Sequence, residues 1–205
     1  MKLYGFPPSP NTWKVRASAK QMGTALELEF VDLTKGQQRS QEYLALNPYG
    51  RTPVLVDGDF RLWESNAIMQ YLGAKAKTPL WPDDARTRAD IMRWQSWQLA
   101  HWNAGTVPLA FENVVKPLLG MGAPDPAVVA KATEAFHKEA SVLDRHLEQH
   151  EHLVGGRLTL ADFAVAAPLF LAEKAKMPVE PYGNIRRWFG AQAALPAWRE
   201  TAPKM

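Results

Sequence analysis

Hydrophobic and polar positions change rhythm along this chain. Up to about residue 76 they switch repeatedly between a period of two and a period of three to four. Lys2-Leu3-Tyr4-Gly5 reads as a short strand, and an amphipathic helix over about 11–23 is closed by Gly23. Leu26-Glu27-Leu28-Glu29-Phe30-Val31 alternates as a half-buried strand does. A short helix is predicted near 40–46. Two further strands flank Asp57-Gly58, a dipeptide suited to the positive φ of a tight hairpin, and a helix follows from about 65 to 76. Pro79 and Pro82 punctuate a linker over 77–84, with Asp83-Asp84 placed to cap what comes next. From about 85 to 205 the pattern is helical throughout. Trp94, Trp97, His101 and Trp102 recur at helical spacing, and 127–150 forms a long amphipathic stretch set off by Pro124 and Pro126. The rhythm thus predicts an α/β domain of order βαβαββα at 1–76 and an all-α domain at 85–205.

Composition narrows the chemistry more than the fold. With 205 residues, 46% hydrophobic and 22% charged, the chain has the make-up of a globular protein with a sizeable core. A net charge of +3 without a basic stripe makes the pI near 9.1 a poor argument for nucleic acid. The absence of cysteine excludes disulfides, cysteine-based zinc sites and a protein thiol nucleophile. Sulfur chemistry, if any, must use a thiol that the protein binds. No basic-then-apolar leader and no apolar run of membrane length stand in the sequence, so a cytoplasmic protein is expected.

Residues 47–65, Asn-Pro-Tyr-Gly-Arg-Thr-Pro-Val-Leu-Val-Asp-Gly-Asp-Phe-Arg-Leu-Trp-Glu-Ser, are the most informative run. A proline that begins an interior strand cannot donate to the ladder. A cis bond at Thr52-Pro53 would turn the Thr52 backbone outward, free to pair with an extended peptide. Glu64 and Ser65 then open a helix, where backbone N–H groups and the macrodipole favour a carboxylate. A peptide-binding edge beside a carboxylate-binding helix end suits a thiol tripeptide with a free α-carboxylate.

With three further segments this run closely resembles the cytosolic glutathione S-transferase family. Lys2-Leu3-Tyr4-Gly5 followed by Ser9-Pro10-Asn11-Thr12-Trp13-Lys14-Val15-Arg16 is similar to the family's first strand and active-site loop. Tyr43–Pro53 resembles its cis-proline approach, and Leu62-Trp63-Glu64-Ser65-Asn66-Ala67-Ile68 its glutamyl-binding helix start. Leu158-Thr159-Leu160-Ala161-Asp162-Phe163 resembles its buried capping box. The likeness runs the length of the chain and points to a serine-type bacterial member, theta-, phi- or nu-like. It implies a thioredoxin-like first domain, a helical second domain carrying the acceptor site, a homodimer, and glutathione as co-substrate without a metal. Partners expected on this basis are glutathione and a small hydrophobic electrophile, with neither nucleic acid nor a membrane.

The resemblance also assigns residues. Ser9 takes the position of the catalytic serine, while Asn11 matches an asparagine that takes part in the nu-like classes, where glutathione-dependent disulfide reduction is favoured. Glu64 would pair the glutathione ammonium and Ser65 the adjacent carboxylate. Thr52, on Pro53, would supply backbone bonds to the cysteinyl unit. Arg39 is the choice for the glycyl carboxylate, with Gln38 assisting and Arg51 nearby, in place of the common His-Lys pattern. Tyr49 sits where some classes place an aromatic key that enters the partner subunit. His101, Trp102 and Phe111, with Trp94, Trp97 and Val107, would line an apolar pocket over the thiol. Thr159 and Asp162 would be structural.

Energetics make thiol activation by this loop reasonable. Lowering a thiol pKa from about 8.5 by roughly two units needs about 2–3 kcal/mol of preferential anion stabilisation. A helix N-terminus supplies up to ~2 kcal/mol and one hydrogen bond to a charged group about 1.5–3 kcal/mol. Ser9, Asn11 and Thr12 all lie at the first helix start and each can donate. Plainer readings stand beside each assignment. Ser9 before Pro10 is equally a helix cap, Arg39 and Arg51 read as solvated charges, and Glu64-Ser65 reads as a helix start. His101 reads as a satisfied interior histidine, the tryptophans as core, and Tyr49 as the closure of its own loop. Conjugation to a small apolar electrophile is the leading reading. Disulfide or peroxide reduction, or a non-catalytic ligand-binding role, are the alternatives.

Overall fold

Leu3 lies fully buried at the middle of a four-stranded sheet, opposite Leu28 on one side and Leu55 on the other. The strands are β1 (Lys2–Gly5), β2 (Glu27–Phe30), β3 (Val54–Asp57) and β4 (Phe60–Trp63), in spatial order β2-β1-β3-β4. β1 and β2 run parallel, whereas β1–β3 and β3–β4 are antiparallel. Helices α1 (Pro10–Gln21) and α3 (Ser65–Ala76) pack on each other and bury Val15, Ala19, Ile68, Met69 and Leu72. A second apolar cluster unites Val31, Tyr43 of α2 (Gln41–Leu44) and Val54, with Tyr4, Leu33, Leu46 and Val56 around them. This computed structural model describes residues 1–203. The first unit has the βαβαββα order expected of a thioredoxin-like domain, and its element boundaries fall within two residues of the pattern-based ones.

The second compact unit, Asp83–Ala194, is helical. Asp84 accepts the Thr87 N–H at 2.7 Å and so caps α4 (Ala85–Trp97), as its position suggested. From α4 the chain continues through α5 (Asn103–Ala110) to α6 (Lys116–Leu118), but π-helical turns interrupt it at Gln98–Trp102 and Phe111–Val115. Each such turn widens the ladder and rotates the faces that follow. Long α7 (Pro126–Glu148) packs on α5, and there Gly105 meets the backbone of Phe136 so closely that a Cβ would stand 2.6 Å from the Phe136 Cα. α8 (Leu160–Ala166) runs into a 3-10 turn over Ala167–Leu171, and α9 (Gly183–Ala194) closes the unit.

Thr159 and Asp162 form the expected capping box at the start of α8. Asp162 is fully buried and does more than cap. One carboxylate oxygen accepts the Thr159 N–H at 2.9 Å. The other accepts the Leu153 N–H and the Trp188 indole N–H of α9, both at 3.0 Å.

The pattern runs the helical domain to residue 205, yet residues 195–203 belong with the first unit, which otherwise comprises residues 1–82. The reason is aromatic packing. Trp198 of α10 (Pro196–Glu200) is fully buried edge-on against Trp13 of α1, with ring centroids 5.4 Å apart. The Trp13 indole donates to the Trp198 carbonyl at 3.2 Å, and Lys20 pairs with Glu200 at 2.7 Å.

Candidate active site

The candidate site rests on two helix starts and one loop of the first unit. Ser9 ends the turn after β1; its N–H donates to the Phe6 carbonyl, and its own carbonyl accepts the Trp13 N–H, both at 2.9 Å. It occupies the N-cap position of α1, with Pro10 at the first helical position, yet its hydroxyl makes no capping hydrogen bond. The plain-cap alternative for that side chain is therefore not realised. Thr12, the third donor in this loop, is fully buried with no hydrogen-bond partner for its hydroxyl, pressed against Gly5, where a Cβ would lie 2.5 Å from its methyl. That leaves Ser9 and Asn11, half-buried and exposed respectively, to meet a ligand.

The second helix start is strained. Glu64 has φ +70° and ψ 109°, an arrangement uncommon for a residue with a side chain. This conformation leaves its carboxylate exposed and free of capping, while its carbonyl accepts the Ile68 N–H at 2.9 Å. Ser65 follows at the first position of α3, 6% exposed, and its hydroxyl donates to Asn11 Oδ1 at 3.3 Å. The structure thus brings Asn11 and Ser65, fifty-four residues apart in sequence, to one place. Asn66, next along α3, accepts from Lys14 Nζ at 2.8 Å.

Between the two helix starts runs the loop into β3. Its Thr52-Pro53 bond is cis, and Pro53 is buried. Among the described residues, no backbone group outside the strands takes the Thr52 N–H or carbonyl. The carbonyl just before it is held firmly, since Arg51 accepts the Tyr43 hydroxyl at 2.8 Å and the Asn47 amide at 2.7 Å. Asn47, itself 2% exposed, also accepts the Tyr49 N–H at 3.0 Å and so fixes the loop from within. Burial pushes the Tyr43 hydroxyl pKa upward, so it remains a donor. Neither Asn47 nor Tyr43 carried an assigned role in the sequence reading. Asparagine before proline signals only a turn.

The remaining site residues are more dispersed. The Arg51 guanidinium lies over the Tyr49 ring, 5.0 Å from its centroid. Tyr49 is 63% exposed and stacks on Trp63 at 6.5 Å, so its ring is presented outward. Gln38 and Arg39 belong to a 3-10 turn, and Gly50 approaches it: a Cβ there would stand 3.2 Å from the Gln38 carbonyl. Gln38 has a buried side-chain oxygen without a hydrogen-bond partner, while Arg39 is exposed.

In the helical unit the six pocket candidates divide, with Trp97 half-buried between a core set and an exposed set. Trp102 is fully buried, stacked on Trp97 and packed against the tilted ring of Phe136, and its indole N–H donates to the Val165 carbonyl at 3.2 Å. Its position in the acceptor pocket is therefore corrected to core. Trp94 is likewise core, 3% exposed. His101, Val107 and Phe111 are exposed, which corrects the reading of His101 as an interior residue. Exposed His101 and buried Trp102 are adjacent residues of the π turn at Gln98–Trp102. Among the described residues no cluster of His, Cys, Asp and Glu could hold a metal ion, and no helix is long and apolar enough to cross a membrane.

Comparison with known proteins agrees with this geometry. The N-terminal glutathione S-transferase domain matches residues 1–74, and the C-terminal glutathione S-transferase domain matches 106–196. The chain is 39% identical to glutathione S-transferase 3 of Zea mays, over 98% of its own length and 92% of the relative's. Among solved structures it is similar to glutathione transferase F7 from Populus trichocarpa, with TM-score 0.91 and 27% identity over 98% of this chain and 96% of that one. It is similar also to glutathione S-transferase I bound with lactoylglutathione, with TM-score 0.88 and 27% identity over 98% and 97%. The chain belongs to the cytosolic glutathione S-transferase family.

Proposed function

We propose that this glutathione transferase holds glutathione along the α1, β3 and α3 starts of its first unit and activates the thiol with the Ser9 hydroxyl. Glu64 pairs the γ-glutamyl ammonium, and the Ser65 hydroxyl and N–H hold the neighbouring carboxylate. Thr52, set by Pro53, meets the cysteinyl unit through its backbone. Arg39 takes the glycyl carboxylate with help from Gln38 and Arg51. The thiolate then attacks a small apolar electrophile. A cytoplasmic setting follows from the co-substrate, since glutathione persists as a thiol there. The protein works as a homodimer in which Tyr49, outward-facing beside the edge strand β4, enters the partner subunit. Lactoylglutathione on a structural relative supports a site that accepts glutathione substituted at sulfur.

One observation carries this reading. The Ser9 hydroxyl stands at a helix N-terminus, neither capping it nor donating to another group among the described residues, so its proton is available to an anion there. A hydrogen bond to a thiolate contributes about 1.5–3 kcal/mol, a factor of roughly 10–150 in rate or acidity. A second reading, glutathione-dependent disulfide or peroxide reduction, is favoured by Asn11. Its oxygen is engaged by Ser65, which leaves the exposed amide nitrogen to donate to sulfur.

Ultraviolet thiolate absorbance of bound glutathione against pH tests both. In the wild type we expect an apparent pKa well below 8. A rise confined to Ser9→Ala, with kcat/KM falling about 10- to 150-fold, supports the transferase reading. A rise confined to Asn11→Ala would transfer the role to Asn11 and the reductase. A wild type with no bound thiolate would overturn both.

A further inference from the structure

Lys14 is the buried charge that the reading above leaves without a task. It projects from α1 with its side chain fully buried, in the company of Val15, Ala17, Ser18 and Ala19. An ammonium in such a place is rare unless it is paired. An apolar side chain would fill the same space at no electrostatic cost, so the fold alone gives no reason for it.

Its compensation in the free protein is incomplete. Nζ donates to the neutral amide oxygen of Asn66 at 2.8 Å, and the one charge that acts on it is Glu64. No carboxylate lies within ion-pair distance of it among the described residues. Charges on the neighbouring elements are engaged elsewhere: Glu200 of α10 with Lys20, Lys75 of α3 with Asp57, and Lys2 of β1 with Glu27 and Glu29. Arg16, also on α1, is partly buried. Burial consequently pulls the Lys14 pKa down to about 7, with Glu64 opposing the fall.

The two residues that Lys14 senses, Glu64 and Asn66, flank Ser65. On the proposed reading Ser65 receives the glutamyl carboxylate. We infer that Lys14 is a positioning residue of the glutamyl end of the site: it holds the Glu64-Ser65-Asn66 turn from beneath, and the bound carboxylate supplies its missing counter-charge. This inference rests on the placement of glutathione proposed above. It carries a linkage: a carboxylate arriving beside Lys14 favours the ammonium, so binding near neutral pH takes up a proton at this residue. The sign is fixed by that argument. Affinity is highest where Lys14 is already charged and falls as pH rises through about 7.

The test uses S-methylglutathione, which has no thiol to ionise, with calorimetry between pH 6 and 8.5 on the wild type, Lys14→Arg, Lys14→Met and Ser65→Ala. Wild-type affinity is expected to fall about five- to tenfold across this range, in the span of a typical coupling between sites. Lys14→Arg, charged throughout, is expected to lose that slope. The amino group of the ligand titrates identically in both proteins, so the difference between the profiles belongs to residue 14. Wild-type binding at pH 7 in two buffers of different ionisation enthalpy should show net proton uptake, which Lys14→Arg abolishes. Lys14→Met should bind weakly at every pH, while Lys14→Arg leaves the pKa of a bound thiolate at its wild-type value. Coincident profiles for wild type and Lys14→Arg, or no proton uptake by the wild type, would overturn the inference even if Lys14→Met fails to fold. Undiminished binding by Ser65→Ala would instead overturn the placement of the carboxylate on which it rests.

Discussion

At the scale of single residues, Asp162 shows how much one buried carboxylate can organise. Its two oxygens satisfy the N–H groups of Leu153 and Thr159 and the indole of Trp188, which ties the loop before α8, the start of α8 and the middle of α9 together. Asp162→Ala leaves these buried donors without acceptors, each a loss of about 1–3 kcal/mol. We expect a destabilisation of about 3 kcal/mol or more in urea unfolding, with the thiol pKa of any folded fraction unchanged. A stable, folded variant would contradict this. The same carboxylate faces His152, whose Nδ1 lies 3.7 Å away and whose pKa it raises above the usual histidine value. A raised folded-state pKa adds stability that is complete below the unfolded value and is lost as pH rises through the folded one. The difference in melting temperature between wild type and His152→Gln should therefore shrink from pH 6 to pH 8. A difference independent of pH would show that the pair does not titrate.

At the scale of elements, the α5–α7 contact depends on the missing side chain of Gly105. Glycine to alanine within a helix usually stabilises, by about 1 kcal/mol. Here the added methyl would meet the backbone of Phe136, which no rotamer change can relieve. Overpacking of this kind costs about 1–3 kcal/mol, so Gly105→Ala should lower the urea midpoint despite its propensity gain. A raised midpoint would mean that the two helices separate freely. Elements whose signal is local were legible in the sequence: the alternating strand Glu27–Phe30, the hairpin between β3 and β4, one residue later than Asp57-Gly58 since Asp57 pairs with Phe60, and the caps at Asp84 and Thr159. Both π turns were not, because their residues carry no marker in composition. That blindness explains Trp102. The expected acceptor pocket placed it with His101 and Phe111, and periodicity could not correct that, since it identifies a helical face only while the ladder is regular. The helix start at Glu64-Ser65 and the proline before β3 were legible as local structure, because helix starts and strand-initial prolines have sequence signatures. The Asn11–Ser65 bond and the burial of Lys14 were not, since each depends on which faces of α1 and α3 meet.

At the scale of the whole molecule, the proposed homodimer has a direct test. Tyr49 and Trp63 stack with both rings well exposed, beside the edge strand β4, whose Phe60 is 43% exposed. Exposed aromatics along an edge strand invite a partner. Light scattering at micromolar concentration should give twice the chain mass of 22.9 kDa, and Tyr49→Ala should shift the mass towards the single chain. A wild-type mass near 22.9 kDa would refute the dimer. The sequence pattern divided the molecule into two consecutive stretches, and here it missed a discontinuity. Nothing in Pro196–Glu200 says on which body a short helix will dock. The decision lies in Trp198 finding Trp13, a pairing between opposite ends of the described chain.

That pairing bears on how the protein is made. A ribosome releases the chain from its N-terminus, so the strands and helices of the first unit emerge early, without the segment that covers Trp13. The helical unit, continuous from Asp83 to Ala194, has all its parts in hand before residues 195–203 appear. Encoded first, α1 is therefore finished last. Until translation reaches Trp198, a nascent chain carries Ser9 on a helix with one flank still bare.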